Sequence, residues 1–197
     1  MPNRQPLRSA NYKPSRVPMA DIDEFATSLL EEAKRFLEKA SDCADDTAHT
    51  AFLHAALLLA FCSLEAHINA MSEEFALCSE LPLHAKGVLL EKEVKLIDGE
   101  FTIGALRMYR LEDRIQFLHR QFSGKSLDTT LQWWGQLKSA IDTRNKLTHP
   151  KDVHPVTFGQ VRSAIEAVIN TIDSLYLAIY KKGFPAAKRG LGSRMAF

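Results

Sequence analysis

Apolar residues recur at spacings of three and four along most of the chain, the periodicity of helices that bury one face. The pattern predicts six helical segments, and no alternating pattern of useful length predicts a strand. The sequence therefore indicates an all-α fold, an up-and-down bundle of five or six helices. The predicted segments cover residues 21–41, 47–75, 83–97, 111–122, 129–148 and 157–182.

The second segment is apolar on nearly every side between Ala51 and Leu64. Such a helix is typical of the centre of a bundle. Polar side chains interrupt it, among them Glu65, His67 and Asn69. Its longest uninterrupted apolar run, residues 55–62, is much shorter than the ~20 residues that span a bilayer, so we expect no membrane segment.

Charge divides the chain into three parts. Residues 1–20 and 181–197 are basic and lack acids, so that in a chain of net charge +1 residues 21–180 carry about −8. The polar, proline- and glycine-containing ends predict flexible basic tails, residues 1–19 and 183–197, around one helical domain, residues 20–182. Basic tails can also contact nucleic-acid phosphates, although the acidic body disfavours a broad nucleic-acid surface.

Composition favours a cytoplasmic protein with no metal or other cofactor. Three scattered cysteines do not form a disulfide framework, and Cys62, in the most apolar run, is expected to be buried. The first residues lack the apolar core of a secretory signal. The paired histidines are five residues apart, which does not place two rings on one helical face. Gly124-Lys125-Ser126 lacks the earlier glycine and the buried strand of a phosphate-binding loop.

The fifth segment ends in the most distinctive polar stretch of the chain, Arg144-Asn145-Lys146-Leu147-Thr148-His149-Pro150. Arg144 lies at or beside the apolar stripe of the helix, at helical spacings from Leu137 and Ile141. A charged group in that position needs a partner. Pro150 disfavours helical geometry at His149, so the chain turns there and the imidazole can swing back toward Arg144. The sequence therefore predicts a small polar site at this helix end.

The Arg-x4-His spacing of Arg144 and His149, with the polar Asn145 directly after the arginine, resembles the signature of the HEPN superfamily. The position of the motif before a long amphipathic helix and the apolar helix over residues 52–69 are similar as well. HEPN proteins are small helical domains that include metal-independent endoribonucleases and toxins of toxin–antitoxin and phage-defence systems. The resemblance covers residues 47–182.

The resemblance implies an endoribonuclease whose site forms between two copies of the chain. The ribose 2′-OH would attack the adjacent phosphate and leave a cyclic phosphate and a free 5′-OH. His149 would supply the base from one copy and the acid from the other, because one histidine does not easily do both. Arg144 would neutralise the phosphorane oxygens, and Asn145 would orient the phosphate or the imidazole. Glu65 is the expected supporting acid that holds Arg144.

Two alternatives use the same residues. In the first, a non-catalytic HEPN-like module binds RNA or a nucleotide in the same cleft. In the second, the chain is a structural or partner-binding helical homodimer, for example the partner of an antitoxin protein. Arg144 would then be closed in an ion pair with Glu65, and His149 would end a helix, where positive charge is favourable.

Overall fold

The computed structural model describes residues 19–197, which form six helices and one two-stranded sheet. The predicted N-terminal tail, residues 1–19, lies outside the described residues apart from Met19. The mostly helical character of the prediction is confirmed. The elements are α1 (Met19–Asp42), α2 (Asp46–Ala76), α3 (Leu83–Leu89), β1 (Lys92–Ile97), β2 (Glu100–Leu106), α4 (Leu111–Ser123), α5 (Gln132–Thr148) and α6 (Phe158–Tyr180).

The helix α2 is the centre of the fold and contacts α1, α3, α4, α5 and α6. Its side chains Leu57, Phe61 and Leu64 are almost completely buried. Asp45 caps its start by accepting a hydrogen bond from the backbone N–H of Ala48, which satisfies one of the free amides at a helix start. Asp45 and Asp46 therefore belong to the start of α2, where acids interact favourably with the helix N-terminus, whereas Asp42 is the last residue of α1.

By length and composition alone, α2 could also cross a membrane. Half of its apolar window is buried inside the fold, and the core helix of a soluble protein has the same character.

The hairpin of β1 and β2 corrects the prediction of a helix over residues 83–97 without strands. The helix α3 ends at Leu89, and β1 pairs with β2 in antiparallel fashion. Asp98 and Gly99 have φ values of 51° and 84°, the left-handed values that a tight two-residue hairpin turn requires. The prediction of a helix was wrong here because a short apolar run fits the periodicity of a helix as well as that of a strand. The tight turn allows β1 and β2 to pair, and this pairing favours the strand.

The C-terminal residues 183–197 also differ from the flexible tail that their composition predicts. Phe184 and Ala186 are buried in the core. Lys34 of α1, completely buried, donates from Nζ to the carbonyl oxygens of Arg189 at 2.6 Å and Phe197 at 2.8 Å. The segment therefore supplies the acceptors for a lysine that is far away in sequence.

Charged side chains strengthen the same contact. Arg194 forms ion pairs with Glu38 and Asp42 on α1. The ring of Phe197 lies below both Lys34 and Arg162, 5.2 and 5.4 Å from its centroid. These partners lie on helices α1 and α6, so the composition of the segment alone gives no sign of them.

Candidate functional site

Arg144 lies near the end of α5 and faces α2. Its Nη1 donates to Glu65 Oε1 at 3.2 Å, and its guanidinium carbon lies 5.0 Å from the ring centroid of Phe61, one turn before Glu65. Its Nε is buried and has no acceptor among residues 19–197. Because 22% of the Arg144 side chain is still exposed, the guanidinium is fixed by α2 while part of it stays accessible to a ligand.

The local sequence explains this position. Leu137, Ala140 and Ile141 are buried on the inner face of α5, and Arg144 continues that face by one further turn. Phe61 and Glu65 lie one turn apart on α2, which supplies a ring for the guanidinium plane and a carboxylate for its charge. The contact between Arg144 and Glu65 that the sequence suggested is thus present.

Asn145 and His149 are exposed at the end of the same helix. The backbone of His149 has left helical geometry, with φ −130° and ψ 62°, and its N–H donates to the carbonyl of Asn145 at 2.9 Å. Thr148 closes the helix end by donating to the carbonyl of Arg144. Within residues 19–197, the His149 ring makes no hydrogen bond, to Arg144 or to any other group, so both of its nitrogens are free of internal partners.

A second arginine, Arg114 of α4, lies close enough to Glu65 for an electrostatic interaction between the two side chains. Arg114 is buried and donates from Nη2 to Asn69 Oδ1 at 2.9 Å, while its Nη1 pairs with Glu91 Oε2 at 3.0 Å. Burial lowers the pKa of Arg114, and the charges of Glu91 and Glu65 oppose that effect. The apolar spacing of Ile115, Leu118 and Phe122 predicts an outward Arg114, and its burial shows that this prediction is wrong.

A signal for Arg114 was available on α2. Glu65 and Asn69 are four residues apart and therefore share one face of an otherwise apolar helix. Two polar groups on such a face indicate charged or hydrogen-bonding partners in the neighbouring elements. The pattern does not say which arginines those partners are, because α4 and α5 approach α2 only in the folded chain.

Cys62 corrects a further expectation, since its side chain is exposed rather than buried. It lies on the face of α2 that the described residues leave uncovered. Partial desolvation and the charge of Glu65 raise the pKa of its thiol, and Arg144 opposes this shift. A thiol with a raised pKa is a poor nucleophile at neutral pH.

His67 is a buried titratable group on another face of α2. It is 1% exposed, and neither ring nitrogen has a hydrogen-bond partner among the described residues. Its ring packs edge-on against Tyr176 and Phe184, and Asp23 lies 3.8 Å from Nδ1. Burial lowers the pKa of His67 to about 4, so the ring is neutral at pH 7.

In the part of the chain that the structure describes, no three His, Cys, Asp or Glu side chains form a cluster suited to a metal ion. Comparisons of the chain with family models, curated proteins and solved structures find no match.

Proposed function

We propose that the protein is a HEPN-like, metal-independent endoribonuclease that cleaves RNA by attack of a ribose 2′-OH on the adjacent phosphate. The observation that carries the proposal is the guanidinium of Arg144, fixed between Glu65 and the Phe61 ring and still partly exposed. The exposed Asn145 and His149 in the following turn supply polar groups beside it.

Each residue has a role that follows from its chemistry. Arg144 stabilises the negative charge that develops on the phosphorane, and a side chain held in place needs little reorganisation to do so. His149 transfers protons, because its ring nitrogens have no partner within residues 19–197 and are available to substrate. Asn145 orients the phosphate or the imidazole. Glu65 positions Arg144.

The reaction needs a base and an acid on opposite sides of the phosphorus, so we propose a homodimer in which each copy supplies one His149. A strip of small and apolar side chains on α2 supports a symmetric contact beside Glu65. It consists of Ala55, Leu58, Cys62 and Ala66, and all four are exposed or half-buried. Pairing two such strips across a two-fold axis would bring both Arg144 side chains toward one groove.

The test is cleavage of a panel of RNAs in EDTA by the wild type and by Arg144→Ala and His149→Ala. Both variants should reduce the rate at least about 100-fold with unchanged helical circular dichroism. His154→Ala is the matched control, because His154 is exposed in the loop after Pro150, and it should cleave like the wild type. An inactive wild type, or equal losses in all three variants, contradicts the proposal.

A second candidate function is a non-catalytic module that binds RNA or a nucleotide through the same residues. The direct Arg144–Glu65 ion pair favours it, because a carboxylate already satisfies part of the arginine charge. Such a module would bind RNA and produce no cyclic-phosphate ends. A role as a toxin or phage-defence component, with an antitoxin protein as partner, extends the nuclease proposal and would appear as growth arrest that depends on His149.

A further inference from the structure

A depression of about 440 Å³ lies where the end of α4, the start of α5 and the second half of α6 meet. The described residues leave it open to solvent, and the Arg144 site does not include it. Its wall combines basic groups with an aromatic ring and exposed aliphatic side chains. The side chains that matter most are His119, Lys125, Leu131, Trp133, Leu177 and Lys181.

The basic groups in this depression outnumber the acids. Lys125 and Lys181 are exposed, and Lys181 Nζ is fixed at the rim by donating to the carbonyl of Ala178 at 2.6 Å. His119 Nδ1 donates to the carbonyl of Lys125 at 3.1 Å, so its Nε2 is an acceptor, and the two lysines rather than the histidine attract an anion. Among the described residues of the wall, Asp173 is the only acid, and its Oδ1 already accepts the backbone N–H of Phe184 at 2.7 Å. The depression therefore favours an anion.

Trp133 gives the depression a surface on which a planar group can stack. It is half-buried and packs at 86° against Trp134, with ring centroids 5.9 Å apart. Leu131 and Leu177 beside it are 43% and 49% exposed. Aromatic rings next to lysines bind single-stranded nucleic acids, because the rings stack on bases while the lysines contact phosphates.

A second depression, of about 230 Å³, continues along the same two helices. Aliphatic side chains together with amides and hydroxyls line it, and no charged side chain does, a lining suited to uncharged bases rather than to phosphates. It reaches Thr143, next to Arg144, and also touches Leu57, one turn before Phe61. Its polar side chains are Gln136, Ser139, Thr143, Gln160 and Ser163.

The helix α5 connects the two depressions with the Arg144 site. Trp133 and Arg144 are eleven residues apart, which corresponds to three turns, a rise of ~16 Å and nearly the same helix face. The buried Leu137 and Ala140 occupy that face between them. A single RNA strand that stacks on Trp133 therefore follows the neighbouring side of α5, along the second depression, and reaches Thr143, the residue before Arg144. Duplex RNA does not fit this arrangement, because its bases are paired and stacked on each other.

We propose that single-stranded RNA lies along α5 and α6, with a base on Trp133, phosphates at Lys125 and Lys181, and the following bases against the uncharged second depression. The path ends at Arg144, and only this end rests on the proposed function. Binding at Trp133 requires no cleavage.

The test measures the affinity of the full chain for a fluorescently labelled single-stranded oligoribonucleotide, by anisotropy in EDTA at several salt concentrations. Trp133→Ala should weaken binding about tenfold, and Trp133→Phe should retain most of the affinity because a ring remains. The double variant Lys125→Gln/Lys181→Gln should lower the slope of log K against log salt by about 1.4, since each lost phosphate contact contributes about 0.7. The charge-matched control Lys92→Gln/Lys138→Gln changes two exposed lysines outside both depressions and should lower it much less.

Intrinsic fluorescence gives a second readout that does not depend on the variants. The chain has two tryptophans, and Trp134 is 2% exposed, so quenching by RNA reports contact with Trp133. If the Trp133 and lysine variants weaken RNA binding as expected and the wild type does not cleave RNA, the proposed RNA path is supported and the nuclease proposal is contradicted. If RNA is cleaved while the Trp133 and lysine variants bind normally, the path is overturned. Equal quenching by inorganic phosphate or by duplex RNA would also overturn it.

Discussion

The polar residues on the apolar helix α2 differ in how their hydrogen-bonding groups are satisfied. Ser63 is buried and donates to the carbonyl of Ala26 at 2.7 Å. Glu65 accepts from Arg144, and Asn69 accepts from Arg114. His67 has no such partner among the described residues. On α2, Glu65 therefore belongs to the candidate site, whereas His67 bears on how the stability of the fold depends on pH.

His67 should make the fold sensitive to acid. Its pKa is about 4 in the folded protein, below the ordinary 6.5. Between these values the unfolded chain binds a proton that the folded chain does not, so stability is complete above pH 6.5 and falls as the pH decreases toward 4. We expect His67→Phe, measured by urea unfolding at pH 7.5 and 5, to remove up to about 2 kcal/mol of that loss.

Asp23 is the acid nearest to His67, and burial raises its own pKa, which limits how far it can stabilise a protonated ring. If wild type and His67→Phe lose the same free energy between pH 7.5 and 5, His67 is not the group responsible.

Arg114 should matter for stability far more than a surface lysine in a comparable ion pair. Replacing it with leucine removes the partner of the half-buried Glu91 and of the exposed Asn69, which costs about 1.5–3 kcal/mol because both hydrogen bonds are to a charged group. Lys146→Leu is the control, because Lys146 and Asp142 form an exposed pair one turn apart that contributes less than about 1 kcal/mol. Equal free energies of unfolding for both variants would contradict the buried role of Arg114.

At the scale of elements, α3 and the hairpin contact each other at a position that tolerates no side chain. A Cβ on Gly87 would lie 2.7 Å from Val94 Cγ2 and 2.9 Å from the carbonyl oxygen of Lys92. The backbone contact cannot rotate away, so Gly87→Ala must separate α3 from β1 and should cost about 1–3 kcal/mol.

Gly135 provides the opposite case in α5, where a Cβ would meet nothing within 4 Å. Gly135→Ala should stabilise the fold by up to about 1 kcal/mol, because alanine favours helix over glycine. Thermal unfolding of the two variants checks both signs. A neutral Gly87→Ala would show that the α3–β1 contact is looser than the distances indicate.

Local signals predicted five of the six described helices well, the third only in its first half, and the partners of their side chains poorly. The cap at Thr157 is present as a capping box with Gln160, and Gly124 ends α4 with a φ of 73°, as sequence features near helix ends suggest. Arg114 borders the apolar stripe of α4, so periodicity alone could assign it to either face. Its true orientation depends on Glu91, which lies in the turn between α3 and β1.

The same distinction applies to the candidate site. The inward position of Arg144 and its pairing with Glu65 follow from helical spacing and from the scarcity of charge on α2. The exposed ring of His149 depends on how the chain leaves α5 after Thr148, which spacing does not determine. The proposed RNA path along α5 and α6 could not be predicted from the sequence, because its walls form only when α4, α5 and α6 pack together.

In the molecule as a whole, the C-terminal residues 183–197 pack against α1. Deleting residues 188–197 removes both acceptors of Lys34 Nζ and the ion pairs of Arg194, and it should lower the free energy of unfolding by about 1–3 kcal/mol. The helical circular dichroism should persist, because residues 188–197 lie outside the helices of the described chain.

A double-mutant cycle isolates the lysine contact. Lys34→Met should cost at least about 0.5 kcal/mol more in the full chain than in the shortened chain, where its partners are already missing. Equal costs in both backgrounds would mean that the segment does not hold Lys34 in solution.

The proposed RNA cleavage takes place at the end of α5, and end-group analysis of the cleaved RNA tests it most directly. In EDTA, the wild type should produce fragments with a 2′,3′-cyclic phosphate and a free 5′-OH, and His149→Ala should produce none. Intact RNA, or fragments with a 5′-phosphate, would contradict the mechanism assigned to Arg144 and His149.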